Sequence, residues 1–481
     1  MSYEPVIGLE VHAQLLTKAK MFCSCRADYS GAPPNTLVCP VCLGMPGVLP
    51  VINEQAVEFA AMTALALNCT VQETNVFARK SYFYPDLPKN YQISQYDLPL
   101  SRDGWLMAET PRGPVRVGVR RVHLEEDTAK LTHVEAGGEA YSLIDFNRSG
   151  MPLMEIVSEP DMHSLDEVQG YITKLRAILR YLGVSSGDME KGAMRFEANI
   201  SLRPPGSAKL GNRCEVKNLN SFRAVIRSAE YEIARQTKIL DSGGVVEQET
   251  MGWDDLRNVT VMQRGKEEAH DYRYFPEPDL PPLVLKADWV ESVRRRLPEL
   301  PDAKRQRFMG EFGLSSYDAA LLVSEKDVAA YFEQCVAGNP QRAKAVANWI
   351  LGELFRLMNE TGQELGQVRI TPAALNDLLG LIEAGTISTT IAKDVFAEMF
   401  AGGKSARDLV AAKGLTQISD SGAIDAAIAR VIAGNPQAVA DYKGGKETAI
   451  RFLVGQVMKE TKGRANPALV NQMLVEALKK A

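Results

Sequence analysis

Glu155 stands in the middle of an apolar run, Leu153 to Val157, just after the turn residues Asn147-Arg148-Ser149-Gly150. A carboxylate there is costly to bury unless a cation or a donor meets it. Arg148, a metal ion or a backbone turn can serve; the plainer alternative is a strand–turn–strand whose Glu155 faces water. Other segments share the pattern. Gly8, Glu10, His12 and Gln14 alternate with Ile7, Leu9, Val11 and Ala13, and His123, Glu125 and Asp127 with Val122 and Leu124. Arg195, Glu197, Asn199 and Ser201 oppose Phe196, Ala198, Ile200 and Leu202, while Arg213, Glu215 and Lys217 share a side. These read as half-buried strands of an antiparallel sheet, and their polar sides as one concave wall rather than a solvated face. Carboxylates beside His and Arg, with no Cys or Ser nucleophile, suit a metal–phosphate site. Mg²⁺ prefers oxygen ligands and is usually held by one or two carboxylates plus substrate phosphates. Glu10, Glu125 and Glu155 are the expected carboxylates, with His12 a ligand or the group that orients a water. Arg148, Lys80 and Lys89 can neutralise charge on a transferring phosphoryl group.

Elements must bring these residues together. Leu143, Asp145 and Asn147 alternate with Ser142, Ile144 and Phe146, so 141–147 reads as a further strand of the wall. Val57, Ala60, Ala61, Ala64, Leu65 and Leu67 give a helix over 54–68 an apolar face that packs on the sheet. Leu165, Val168, Ile172, Leu175, Ile178 and Leu179 do the same over 165–182, which Gly183 ends. A helix over about 221–239 has Ser221 as N-cap. RKSYFYPDLPK at 79–89, with two prolines and three aromatics, predicts a rigid loop. Its cations either meet phosphate or lie along the rings. Residues 101–121 predict a hairpin through Asp103-Gly104 and a second turn at Arg112-Gly113. HDYRYFPEPDLPPL at 270–283 reads as the rim of the sheet domain.

Cys23, Cys25, Cys39 and Cys42 form C-x-C, thirteen residues, then C-P-V-C. The second half resembles a zinc knuckle, and four thiolates would fill a tetrahedral shell, making a structural site. The alternative is four reduced thiols on loops. The seven cysteines are odd in number and unevenly spaced. No disulfide framework is expected, and a reducing cytoplasm fits.

After about residue 292 the pattern turns Ala- and Leu-rich and helical. The expected class is α+β: a β-rich antiparallel cradle domain with flanking helices over 1–292, then all-α domains over 293–405 and 406–481. Arg294, Arg295 and Arg296 read as a solvated helix face. Near the end, helices are expected over 423–433, 436–442, 446–461 and 467–480. Lys443, Lys446, Arg451, Lys459, Lys462 and Arg464 outnumber the local acids; this stripe is a solvated face or a sugar–phosphate contact. Gly403-Lys404-Ser405 is not a P-loop, because Glu398 stands where the pattern needs Gly. The length of 481 residues suggests about two to four domains. A net charge of −5 argues against a basic nucleic-acid binder as a whole. No signal peptide is read at MSYEPVIGLEV, and no run of about 18 apolar residues exists to span a membrane.

IDFNRSGMPLMEIVSEPD at 144–161 resembles the signature of the B subunits of bacterial glutamyl/aspartyl-tRNA amidotransferases. IGLEVHAQL, RKSYFYPDLPKNYQISQYD, RVHLEEDTAKLTH, EVKNLNSF and DYRYFPEPDLPPL are similar to the same family in the same order, so the resemblance covers essentially the whole chain. It implies ATP-dependent phosphorylation of the side-chain carboxylate of mis-charged Glu-tRNA or Asp-tRNA, then displacement of phosphate by ammonia. It also implies two partner proteins, an amidase (the A subunit) that supplies the ammonia and a small C subunit, and a YqeY-like tail that touches tRNA through the basic residues above. A non-discriminating aminoacyl-tRNA synthetase is a further possible partner. The ATP is then expected at Lys80, Tyr82, Lys89, Asn147, Arg195, Glu197 and Asn199, with Mg²⁺ on Glu10, His12, Glu125 and Glu155. Glu125, Glu126 and Asp127 match the family's acidic stretch near the ammonia exit. The competing reading is a zinc-stabilised tRNA-binding scaffold whose carboxylates are structural.

Overall fold

The structure, a computed structural model, describes residues 3–264, 269–415, 421–444, 446, 448–461 and 465–480. It divides into two compact units, Met1–Pro301 and Asp302–Ala481.

The first unit is built on a nine-stranded sheet. In spatial order its strands are 259–264, 249–254, 214–219, 194–203, 4–14, 152–158, 115–126, 101–108 and 70–71. Alternation decides the two faces. Ile7, Leu9, Val11, Phe196, Ala198, Ile200, Met154 and Ile156 are buried in one core with residues of the 54–66, 165–182 and 222–241 helices. The helices stop where local chemistry says they should. Asn53, Ser164 and Ser221 accept the N–H groups of Ala56, Glu167 and Ala224, and Gly183 closes its helix in the left-handed conformation at φ 72°. Strands 214–219 and 249–254 pair in parallel, against the antiparallel expectation, because the 222–241 helix joins them as a crossover. A small three-stranded sheet of 77–81, 91–95 and 275–276 lies over the polar face. Its Gln92 donates to the Glu126 carbonyl and its Ser94 to the Glu125 carboxylate.

Three local expectations need correction. Residues 139–145 are not part of the wall; they pair only with 130–136 in a separate hairpin, turning at Gly137-Gly138 with φ of 64° and 85°. Tyr141 and Leu143 are exposed there; alternation marks a strand but does not choose its partner. Residues 77–81 form a strand inside what reads as a loop. The 101–108 strand runs through Asp103-Gly104 without turning. Gly104 is there for a close approach: Trp105 N–H donates to the Leu67 carbonyl at 2.8 Å, and a Cβ on Gly104 would lie 2.6 Å from that same oxygen.

The second unit is helical. The 406–413 helix, N-capped by Ser405, packs on the 372–383 and 389–402 helices. Residues 424–478 bury a core of their own around Ile424, Ile428, Leu453, Val457, Val470 and Leu474. The helices 421–434, 436–443, 448–460 and 467–480 match the expected four. Among the described residues no helix is long and apolar enough to cross a membrane.

Gly104→Ala is expected to lower stability by about 1–3 kcal/mol through overpacking, read as a lower urea midpoint. An unchanged midpoint would mean that the Leu67 backbone yields without cost.

Candidate active site

Strand register assembles the polar wall. Across four neighbouring strands His123 lies opposite Glu155, Glu155 opposite His12, and His12 opposite Arg195; Glu10 faces Glu197 further along. His12 Nε2 is 3.4 Å from Glu125 Oε1 and 3.7 Å from Glu155 Oε2, and His123 Nε2 is 3.3 Å from Glu155 Oε2. The donor atoms of His12, Glu125 and Glu155 fall within 4.8 Å of one another, and so do those of Glu10, Glu197 and Glu215. His12 and Glu155 of the first set and all three acids of the second line a cavity of about 210 Å³, whose lining also includes Lys80, Lys217 and Arg213. Tyr96, Tyr272 and Tyr274 close the cavity. Tyr96 and Tyr274 stack at 4.2 Å, and Lys80 Nζ sits 4.7 Å from the Tyr272 ring centre.

Burial and like charge set the protonation states. Burial pushes the Glu10 carboxyl up to about 7, with Glu155, Glu197 and Glu215 adding to the rise. It pushes Glu125 up to about 8, with Glu155 and Asp127 adding. Burial also lowers His12 and His123 and favours neutral rings. For Glu155 burial is outweighed: His123, His12 and Arg121 hold it well below the usual carboxylate range. Glu197 behaves likewise, held near about 2 against burial by Lys217, which it meets at 2.7 Å. Burial works against the charge of Lys80, but Tyr274, Glu125 and Glu155 raise it. The basin therefore holds hard oxygen donors, neutral imidazoles and a persistent cation, a donor set that suits a divalent ion such as Mg²⁺.

Residues 5–291 match the GatB/GatE catalytic domain, and residues 330–478 match the GatB domain. This chain belongs to the GatB/GatE family. It is 57% identical over 99% of its length to the whole of a Moorella thermoacetica protein. It is 52% identical, again over 99% of its length, to 98% of a Myxococcus xanthus protein. Both relatives are named as the B subunit of aspartyl/glutamyl-tRNA(Asn/Gln) amidotransferase.

The GatB/GatE wall gathers Glu10, His12, Glu125, Glu155, Arg195, Glu197, Asn199 and Lys80, but not every residue singled out from the sequence. Glu10 stands with Glu197 and Glu215 rather than with the His12 set; Asn199 donates to it at 3.0 Å. Arg195 clasps Asp127 with two bonds of 3.1 Å. Arg148 does not meet Glu155. Its guanidinium donates to the Thr128 and Ala129 carbonyls and lies 3.8 Å from Asp127. Asn147 is spent on the cysteine loop, accepting from Leu37 N–H and donating to the Pro33 carbonyl, each at 2.8 Å. Lys89 pairs with Glu126 and lies beside Cys42 and Gly150, outside the main cavity. Tyr82 is half-buried and outside the cavity lining. His123, Glu215, Lys217 and the three tyrosines are further wall residues; His123, Glu215 and Lys217 already carried the alternating signal, and Tyr272 and Tyr274 fall in the tract read as the rim of the sheet domain.

Cys23, Cys25, Cys39 and Cys42 bring their sulfurs within 4.8 Å of one another, a soft, closed donor set that fits structural zinc. Hydrogen bonding from Cys23 pulls the Cys42 thiol down to about 5, with Lys20 contributing. In the second unit Lys443, Lys446, Arg451 and Lys459 are exposed, with Lys446 3.4 Å from Asp441. Lys462 and Arg464 lie outside the described residues.

A buried carboxyl with a raised pKa keeps its proton in the folded chain after the unfolded chain has lost it. Stability therefore falls as pH rises from the unfolded value of 4.5 and levels off above the folded value of about 8. Without divalent cation, Glu125→Gln is expected to raise the thermal midpoint near the folded value and to do much less near the unfolded one. Equal shifts at both pH values would show that Glu125 ionisation is not what burial penalises.

Proposed function

We propose that this chain is the B subunit of a glutamine-hydrolysing aspartyl/glutamyl-tRNA amidotransferase. Its wall activates the side-chain carboxylate of mis-charged Glu-tRNA or Asp-tRNA with ATP and passes it to ammonia. The observation that carries this reading is the pair of neighbouring donor sets, His12, Glu125 and Glu155, then Glu10, Glu197 and Glu215, five of whose six members line one cavity. The first set would hold Mg²⁺, and the second would hold another divalent cation. A bound divalent ion supplies neutralisation of phosphate charge.

The chain's own residues do the rest. Lys80, kept charged with the ionised Glu155 nearby, neutralises the transferring phosphoryl group. His12 and His123 orient the Glu155 carboxylate and favour its ionised form. The small sheet over the polar face, with Tyr96, Tyr272 and Tyr274 on the cavity, limits water, which protects an acyl phosphate from hydrolysis. Next to Glu125, the buried Glu126 and Asp127 meet the half-buried cations Lys89, Arg195 and Arg148, which supports reading 125–127 as the place where ammonia arrives. An amidase partner, a small linking protein and charged tRNA are the partners this division of labour requires. The exposed basic residues of the tail support its reading as the tRNA contact, and zinc is assigned to the four cysteines.

In the reconstituted complex, Glu155→Gln or His12→Ala is expected to cut Gln-tRNA or Asn-tRNA formation by on the order of 10²-fold or more while glutaminase activity survives. Equal loss of both activities, or a lowered melting temperature with transamidation intact, would make the carboxylates structural. Removing residues 421–481 is expected to raise KM for charged tRNA with little effect on glutaminase activity; an unchanged KM would move tRNA recognition elsewhere.

A further inference from the structure

Lys20 is fully buried. Its Nζ donates to the Leu37 carbonyl at 2.9 Å and lies 3.5 Å from the Phe146 carbonyl and 3.6 Å from Cys42 Sγ. No carboxylate lies within ion-pair distance of it among the described residues; Cys42 is its one acidic neighbour. A lysine so far from water is not maintained by two carbonyl dipoles alone, since a buried unpaired ammonium costs several kilocalories per mole. Four thiolates on one divalent ion carry two excess negative charges, and a buried site must offset them. The cation and the cysteine cluster answer each other's cost.

The same residue sits at a joint. Phe146 opens the turn that delivers the Glu155 strand, and the turn is tied to the cysteine loop at other points as well. Asn35 Oδ1 accepts from Phe146 N–H at 2.7 Å, Asn147 bonds both Leu37 and Pro33, and Ser149 Oγ donates to the Cys42 carbonyl at 3.0 Å. Gly150, at φ 80°, leaves no slack: a Cβ there would stand 3.3 Å from Cys42 Cβ, 3.7 Å from Lys20 Cδ and 3.9 Å from Glu126 Oε2.

We propose that Lys20 is a positioning residue that balances the charge of the four-cysteine metal centre and couples that centre to the turn at 146–150. The proposal rests on the zinc assignment above. Bound metal then fixes the Leu37 and Phe146 carbonyls through one ammonium, so the centre braces the start of the Glu155 strand as well as its own loop.

The test is a cycle on the full chain: wild type, Lys20→Met, the four cysteines changed to Ser, and the combination. Zinc retained against a graded chelator and the urea midpoint are both read. Lys20→Met is expected to surrender zinc at about tenfold or more lower chelator concentration, the scale seen when a ligand's supporting partner is removed. In the cysteine-free background the same substitution should be neutral or stabilising, because the ammonium there has lost its counter-charge. A Lys20→Met chain that holds zinc as tightly as wild type overturns the proposal and leaves the zinc assignment standing. So does a loss of stability, or a failure to fold, that is the same in both backgrounds, since that marks a packing role. A wild-type chain that binds no zinc removes the assignment itself and the proposal with it.

Discussion

Carboxylates crowded into a water-poor basin repel one another, and much of the first unit is arranged to keep them there. Two unit charges about 4 Å apart interact by about 4 kcal/mol at an effective dielectric near 20. That is comparable with the whole net stability of a domain, about 5–15 kcal/mol. Glu10, Glu125, Glu155, Glu197 and Glu215 therefore cannot all be ionised without help. Lys217 serves Glu197 and Glu215, and the two imidazoles with Arg121 serve Glu155. Glu10 and Glu125 are left to hold protons. Those two are where a bound cation would gain most, because it would replace a proton that burial and the neighbouring carboxylates keep in place.

Such a basin needs a stiff support. The opposite face of the same strands is packed against three helices, so each carboxylate sits on a backbone fixed from behind. A one-residue slip would turn Glu10 and His12 into the core and Ile7 and Leu9 toward the cavity; the apolar face pins the register that the polar face uses. The small sheet adds a second restraint from the front, where Ile93 N–H donates to Glu126 Oε1 at 3.0 Å. The cysteine loop adds a third, at the turn that launches the Glu155 strand.

The helical unit answers to different physics. Its helices bury aliphatic and aromatic side chains, such as Phe308, Phe332 and Phe396, with surface ion pairs such as Arg430–Glu460 and Lys413–Glu398.

Much of this was legible in the chain itself. Period-two alternation marked the wall strands with Glu10, His12, Glu125 and Glu197, and a carboxylate inside an apolar run marked Glu155. Cap residues and glycines bounded the 165–182 and 222–241 helices, and helical periodicity described the tail. These signals are local, and each segment carries its own. What the sequence could not decide was which strand lies beside which. Alternation at 141–147 looked the same as alternation at 6–15, yet the first forms a free-standing hairpin and the second the centre of the sheet. Arg148 is near Glu155 in the chain but is captured by the Thr128 and Ala129 carbonyls, while His123, far off in sequence, lies directly opposite. Pairing across strands is a long-range choice made by total apolar burial, so only the folded chain could split the acids into two ligand sets and set a lysine against the cysteines.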